Sequence, residues 1–319
     1  MEYLVVSVLN GVVYGLLLFM VSAGLTLIFG MMGVLNFAHA WFYMVGAYVG
    51  YTLTRTVGFW AGLVAAPVVV GLLGILIERY MLRRVHRHGH AHELLLTFGI
   101  AFILEEVIKL FYGDFPVNYA MPDYMRFAAF TLYDTDYPFY RLFMGGVALL
   151  MFVVLYLLLT RTRVGIIVRA ATHRPNMVEA LGHNLPLVFM GVFGVGAGLA
   201  GLAGAVAGAF FPTAPEMAVT FGILVFVVVV VGGLGSLQGA LVASLMIGLF
   251  TSFSVGLNWS LADLLGLAGL VGLDGLEGWA RETGGLLTLQ LSTVAASLPF
   301  LLMLLILLVR PAGLMGDRQ

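Results

Sequence analysis

Long uninterrupted apolar runs dominate this chain, and its polar residues collect in the gaps between them. A helix needs roughly 20 mostly apolar residues to cross a bilayer. Nine segments approach that length: about 4–30, 37–54, 59–80, 94–112, 140–159, 187–211, 217–233, 238–257 and 288–309. The runs are continuous rather than alternating, which predicts helices and not the strands of a membrane barrel. The expected fold is all-α: a polytopic transmembrane helical bundle with about eight or nine spans, forming one domain over residues 1–319. Several segments are short or Gly-rich, so broken or re-entrant pieces are expected, above all within 217–257. Met1-Glu2-Tyr3-Leu4 lacks a basic region and an Ala-x-Ala site, and reads as the start of a first span.

Composition supports this pattern. Of 319 residues, 61% are hydrophobic and 10% charged, against about 25% charged in a typical soluble domain. The mean hydropathy is +1.06. A soluble surface could not accommodate that apolar excess, whereas lipid can. The net charge of −1 gives no footing for nucleic acid, and the lack of cysteine excludes disulfides and thiol chemistry.

Basic residues orient the spans. One set of loop ends holds Arg79, Arg83, Arg84, Arg87, Arg161, Arg163, Arg169, Arg174, Arg310 and Arg318. The other holds only Arg55, Lys109, Arg126, Arg141 and Arg281. The first set is therefore expected in the cytoplasm, with the N-terminus outside and the C-terminus inside. The loop 113–139, with Asp114, Asp123, Asp134 and Asp136, is expected outside.

Two Gly-rich breaks are spaced 202 residues apart: Gly30-Met31-Met32-Gly33-Val34-Leu35-Asn36 and Gly232-Gly233-Leu234-Gly235-Ser236-Leu237-Gln238. Ala38, Met44 and Gly46 match Ala240, Met246 and Gly248. Corresponding interruptions in two halves of a transporter mark a transport pathway; chance matching in a Gly-rich chain is the alternative. Both breaks are expected as cytoplasmic turns of helical hairpins. Gly permits unusual backbone angles and close helix approach. The Asn36 and Gln238 amides could bond the freed backbone groups or simply sit at a wet interface.

The basic loop at about 160–186 carries Pro175, suited to the first turn of a short helix, and Gly182, suited to its C-terminal cap. It reads either as a docking element for a soluble partner or as a positively charged linker.

At this loop a family resemblance becomes specific. Thr162-Arg163-Val164-Gly165 through Ala180-Leu181-Gly182-His183-Asn184 resembles the cytoplasmic loop of branched-chain amino acid type ABC transporter permeases. Asn36-Phe37-Ala38-His39 with Met44-Val45-Gly46-Ala47-Tyr48 resembles that family's N-terminal motif. Gly232-Gly233-Leu234-Gly235-Ser236 with Gly239-Ala240 resembles its C-terminal motif, and Arg310-Pro311-Ala312-Gly313-Leu314 its terminal signature. Asn10-Gly11 and Leu95-Leu96-Thr97-Phe98-Gly99 also fit, so the likeness covers nearly the whole chain in order.

The resemblance implies a permease subunit of an ABC importer in the bacterial inner membrane. A second homologous permease subunit would complete the pathway. Two ATP-binding subunits would dock on the loop, and an extracytoplasmic substrate-binding protein would deliver an amino acid or similar small polar solute. Pathway candidates are Asn36, Phe37, His39, Trp41, Leu224, Gly232, Gly233, Gly235, Ser236 and Gln238. Coupling candidates are Arg163, Gly165, Arg169, Pro175, Glu179, Leu181 and Gly182. The chain has no Gly-x-x-x-x-Gly-Lys-Ser/Thr loop. It is expected to bind no cofactor itself, with ATP and Mg on the partner ATPases.

The chain departs from the family pattern at three places. Ala40 and Trp41 stand where many relatives have Gly and an acid, Leu224 where many have Lys, and Gln238 where Pro is common. An acid and a base have both become apolar, which suggests partners lost together and a more apolar path.

Weaker signals remain. His39 beside a Gly-rich break is either a packing residue or a pathway residue. Glu105 and Lys109, four apart beside Glu106, can pair on one helix face near the outer end of a span; a structural pair or interfacial anchoring is favoured over substrate contact. His86, His88, His90 and His92 alternate, and would share a face only on a strand, so a solvated loop is expected rather than a metal site. Gly266, Gly269, Gly272, Gly275 and Gly278 recur at every third position between Trp259 and Trp279. That tract, within an external insert at about 258–287, is expected against the membrane or a partner. No catalytic constellation is visible, so an enzyme is not expected. The rival readings are an ATP-independent secondary transporter or channel, which needs ionisable residues at mid-membrane, and a membrane scaffold.

Overall fold

Each apolar segment read from the sequence forms a helix in a computed structural model, which describes residues 2–132, 135–256 and 290–316. The helices are α1 (Glu2–Met32), α2 (His39–Thr56), α3 (Phe59–Ile77), α4 (His90–Tyr112), α5 (Phe139–Arg161), then two short ones, α6 (Arg163–His173) and α7 (Pro175–Ala180), followed by α8 (Leu185–Gly208), α9 (Met217–Gly232), α10 (Leu237–Gly256) and α11 (Leu298–Val309). A π-helical turn, Glu78–Leu82, continues α3. A short helix, Leu291–Val294, and a 3₁₀ turn, Ala295–Ser297, precede α11.

Among the described residues six helices are long and apolar enough to cross a membrane unaided: Tyr3–Met32, Phe59–Val85, Phe139–Arg161, Leu185–Gly208, Leu237–Gly256 and Leu291–Val309. This is a multi-pass membrane protein. The other three fall short for evident reasons. α2 has 18 residues and holds Arg55. α4 carries Glu93, Glu105, Glu106 and Lys109. α9 is only 16 residues long.

Small residues set the packing. α1 runs against α10, and a Cβ on Gly15 would lie 2.7 Å from the Ser244 carbonyl oxygen. α8, rich in Gly and Ala, is buried between α2, α3 and α1. A Cβ on Gly198 of α8 would lie 2.8 Å from the Pro67 carbonyl oxygen of α3. In lipid no hydrophobic force draws helices together, so close backbone approach and dispersion contacts hold them. Bulky side chains meanwhile cover the outside; Leu95, Leu110 and Phe111 of α4 are each more than 70% exposed.

Loop segments gather at both ends of the bundle. Gly30, Gly235, Val168 and Arg169 line one small cleft, and the segment Ala312–Gly316 packs on Gly233. At the opposite end Tyr3 donates to the Phe253 carbonyl at 3.0 Å, and Val117 bridges Thr213. The loop 113–139 also holds a two-stranded ribbon not expected of an all-α chain, β1 (Ala128–Leu132) with β2 (Thr135–Pro138). Cross-strand pairing explains it: Phe130 stacks on Tyr137 at 5.3 Å, and Thr131 donates to Asp136 at 2.6 Å. The Gly-every-third tract, Trp259, Trp279 and the insert at 258–287 lie outside the described residues.

The two Gly breaks touch but differ in shape. A Cβ on Gly30 would come 2.9 Å from the Gly235 Cα. The second break is the expected hairpin turn, with Gly233 at φ +100° and Gly235 at φ +84°. The first break is not a hairpin turn. His39, the first residue of α2, reaches the Val21 carbonyl of α1 at 2.9 Å. Val21 lies eleven residues before the end of α1, or about 16 Å along the helix at roughly 1.5 Å per residue. The chain therefore re-enters the bundle before α2 begins.

Candidate functional site

Re-entry exposes backbone groups at membrane depth, and these need partners. Asn36, itself buried, accepts from the Ala38 amide through Oδ1 at 3.1 Å. The Phe37 amide donates to Thr97 Oγ1 of α4 at 3.3 Å. Gly33, at φ +66°, makes the turn out of α1. At the second break Ser236 plays the capping part, its Oγ accepting from the Gly239 amide at 3.1 Å. Gln238, expected in that role, is exposed; the shorter Ser side chain, three residues before Gly239, has the reach an N-cap needs.

The re-entrant segment forms one wall of a cavity of about 300 Å³ between α1, α2, α4 and α9. Asn36, Phe37, His39 and Trp41 line it, so four pathway candidates come together. Phe98 of α4 and Val219, Ile223 and Phe226 of α9 supply the opposite side. The lining is almost wholly apolar. Leu224 is half-buried and not on this wall, and Gly232, Gly233, Gly235 and Ser236 lie at the second break instead.

His39 is buried, and because the Val21 carbonyl can only accept, Nε2 carries the proton. Among the described residues its Nδ1 and the Asn36 Nδ2 have no hydrogen-bond partner. A Cβ on Gly24 would lie 2.8 Å from His39 Cε1, so only Gly leaves room for that ring. His39 thus both packs and borders the cavity.

Trp41 has an acidic partner on another helix. Its Nε1 donates to Glu105 Oε2 of α4 at 3.0 Å. Lys109 Nζ lies 2.8 Å from Glu105 and 3.1 Å from Glu106. The expected pairing on one face of α4 forms, but it also reaches across to α2. Sequence reasoning missed this tie and the Thr97 contact. The one visible signal was a Thr and two Glu inside an otherwise apolar segment.

At the end of the bundle that holds Gly235, α6 begins after Thr162, whose hydroxyl accepts from the Gly165 amide at 3.2 Å. Gly165 is pressed against the carbonyls of Leu158 and Leu159, which fixes a tight elbow after α5. Pro175 opens α7, and Gly182 at φ +85° closes it, with the Gly182 amide on the Glu179 carbonyl at 2.9 Å. Val168, Ala171 and Val178 face the bundle. Val164, Ile166, Met177 and Leu181 are exposed, interleaved with Arg163, Arg169 and Glu179.

The histidine tract is exposed, as expected, but it is a turn and a helix start rather than a loop. His86 to His88 form a 3₁₀ turn, and α4 starts at His90, so the alternation places no common face. His86 and His90 both bond the buried Glu93, the latter at 3.1 Å. Among the described residues no group of three or more His, Cys, Asp or Glu is placed to hold a metal.

Comparison with known proteins agrees with this geometry. The chain is 27% identical to the high-affinity branched-chain amino acid transport system permease protein LivH of Escherichia coli, over 79% of this chain and 86% of that protein. It is 26% identical to the permease protein BraD of Pseudomonas aeruginosa, over 97% and 95%. It is 29% identical to a probable LivH permease protein of Methanocaldococcus jannaschii, over 76% and 78%. With its apolar helices and bacterial relatives, the protein belongs to the inner membrane as a multi-pass component. The profile of the family described as the permease component of the branched-chain amino acid transport system matches residues 7–274, and the chain belongs to that family.

Proposed function

We propose that this chain forms one half of the translocation pathway of an ABC importer for aliphatic amino acids, powered by ATPases supplied in trans. One observation carries the reading: the coupling helix α6 and both Gly breaks meet in a single cleft, where Val168 and Arg169 line the same wall as Gly30 and Gly235. The first of those breaks leads directly into the re-entrant segment on the 300 Å³ cavity. A push on α6–α7 therefore bears on the segment that shapes the path.

The exposed Val164, Ile166, Met177 and Leu181 are the surface for the ATP-binding subunits, which hold ATP and Mg. Arg163, Arg169 and Glu179 add charge around it, while Gly165, Pro175 and Gly182 set its shape. A second permease subunit closes the open side of the cavity, and an extracytoplasmic binding protein delivers substrate. Asn36, Phe37, His39 and Trp41 contact the solute, and an apolar lining suits an aliphatic side chain, in keeping with the relatives' names.

Reconstitution into liposomes tests this. Uptake should require ATP, the copurifying ATPases and the binding protein. Uptake by this chain alone, driven by an ion gradient, would instead establish a secondary transporter.

A further inference from the structure

A second cavity, of about 420 Å³, lies at the opposite end of the bundle from the coupling helices. It is a cleft between α1, α5 and α10, roofed by Phe210 and Phe211. Its α1 wall runs from Tyr3 to Leu17, about 21 Å at roughly 1.5 Å per residue. That depth carries it from the outer boundary toward the middle of a hydrocarbon core about 30 Å thick.

One cation stands in this cleft. Arg141, in the first turn of α5, is half-buried and hydrogen-bonded to Asn10 Oδ1. Its guanidinium lies 5.2 Å from the Phe210 ring centre and 5.7 Å from that of Tyr137. Among the described residues it forms no ion pair with a carboxylate. Aromatic faces and an amide orient the charge without neutralising it. Ser7, Tyr14 and Ser252 add hydroxyls to the wall, and the Thr251 hydroxyl beside them has no partner among the described residues. Farther along α1, Val13 and Leu17 face Met144.

We infer that this cleft binds one anionic phospholipid of the outer leaflet, with its phosphate on Arg141 and an acyl chain along α1. Charge complementarity selects that occupant. A guanidinium pairs well with phosphate oxygens, and among the described residues no acidic side chain lines the cleft to receive the cation of a zwitterionic headgroup. The apolar length below Arg141 fits a hydrocarbon chain and excludes a free ion as the natural ligand. Asn10 thereby gains a role that the transport cycle does not give it, as the residue that aims Arg141.

Native mass spectrometry of the full chain, with whatever subunits copurify, tests the inference. Phosphatidylglycerol should remain bound in preference to phosphatidylcholine when both are offered in equal amounts. Arg141→Gln should weaken retention about fivefold, the effect of one basic residue at a membrane surface. Val13→Trp, which leaves Arg141 in place but fills the cleft, should do the same. Arg55→Gln, at another external arginine, should change nothing. Equal retention of both lipids by the unaltered chain would overturn the assignment, and that arm needs no variant. So would retention unaffected by Arg141→Gln and Val13→Trp, an equal loss in Arg55→Gln, or binding of inorganic phosphate with no bound phospholipid.

Discussion

The indole nitrogen of Trp41 donates to the carboxylate of Glu105 across 64 residues of chain, from α2 to α4. A carboxylate therefore reaches the Trp41 side chain from a different helix. Lys109 holds that carboxylate from the other side. Trp41 is therefore locked against the cavity by an ion pair rather than free to swing.

Restoring an acid at position 41 should harm this protein. Trp41→Glu would set a second carboxylate beside Glu105, and like charges close together in a low-dielectric setting repel strongly. Uptake should fall about tenfold, the factor for roughly 1.4 kcal/mol, and Trp41→Glu with Glu105→Gln should recover most of it. Leu224→Lys should not rescue Trp41→Glu, because Leu224 is not on the shared wall. Uptake rates for the three variants check this.

The seat of α2 should be intolerant of bulk. Gly24→Val would drive branched carbons against the His39 ring and the Gly196 carbonyl. Overpacking of this kind costs about 1–3 kcal/mol, so the melting temperature of the purified protein should fall. Gly99→Val, where a Cβ would meet nothing within 4 Å, should leave it nearly unchanged.

Coupling should be separable from folding. Met177→Glu and Leu181→Glu alter side chains that are 57% and 75% exposed, so membrane insertion should be normal. Losing an apolar anchor at an interface costs about 2 kcal/mol or more. Copurified ATPase and ATP-dependent uptake should therefore both drop by more than tenfold.

Sidedness can be read directly, because the chain has no cysteine. Val57→Cys, at the end of α2, should react with an impermeant maleimide added outside intact cells. Leu181→Cys should react only after the membrane is opened. The reverse pattern would invert the orientation drawn from the arginines.

Much of this architecture is legible in the sequence because membrane helices announce themselves locally. All nine apolar segments, the Pro175 start and the Gly182 stop follow from neighbouring residues alone. The two Gly breaks were visible too, yet only one is a simple turn. Nothing near residue 36 states that the chain must dive back to Val21, because that depends on the space Gly24 leaves on another helix. The Trp41–Glu105 bond was hidden for the same reason: each residue looked anomalous alone, and only the fold pairs them. The histidine tract hid its contact with Glu93 because only the turn at His86 to His88 brings His86 and His90 onto that carboxylate.

The shortness of α2 has a consequence for synthesis. Its 18 residues do not make a convincing span alone, and its first turn sits on α1 inside the bundle. Its long side rests on Gly201 and Gly204 of α8, which leave the ribosome some 155 residues after Gly46. At about 5–20 residues per second that is a delay on the order of 10 s. Throughout it, α2 has α1 and α3 beside it but lacks the largest surface that holds it. The second helix to be made is thus among the last to be secured, and defects in α8 should surface first as misplacement of α2.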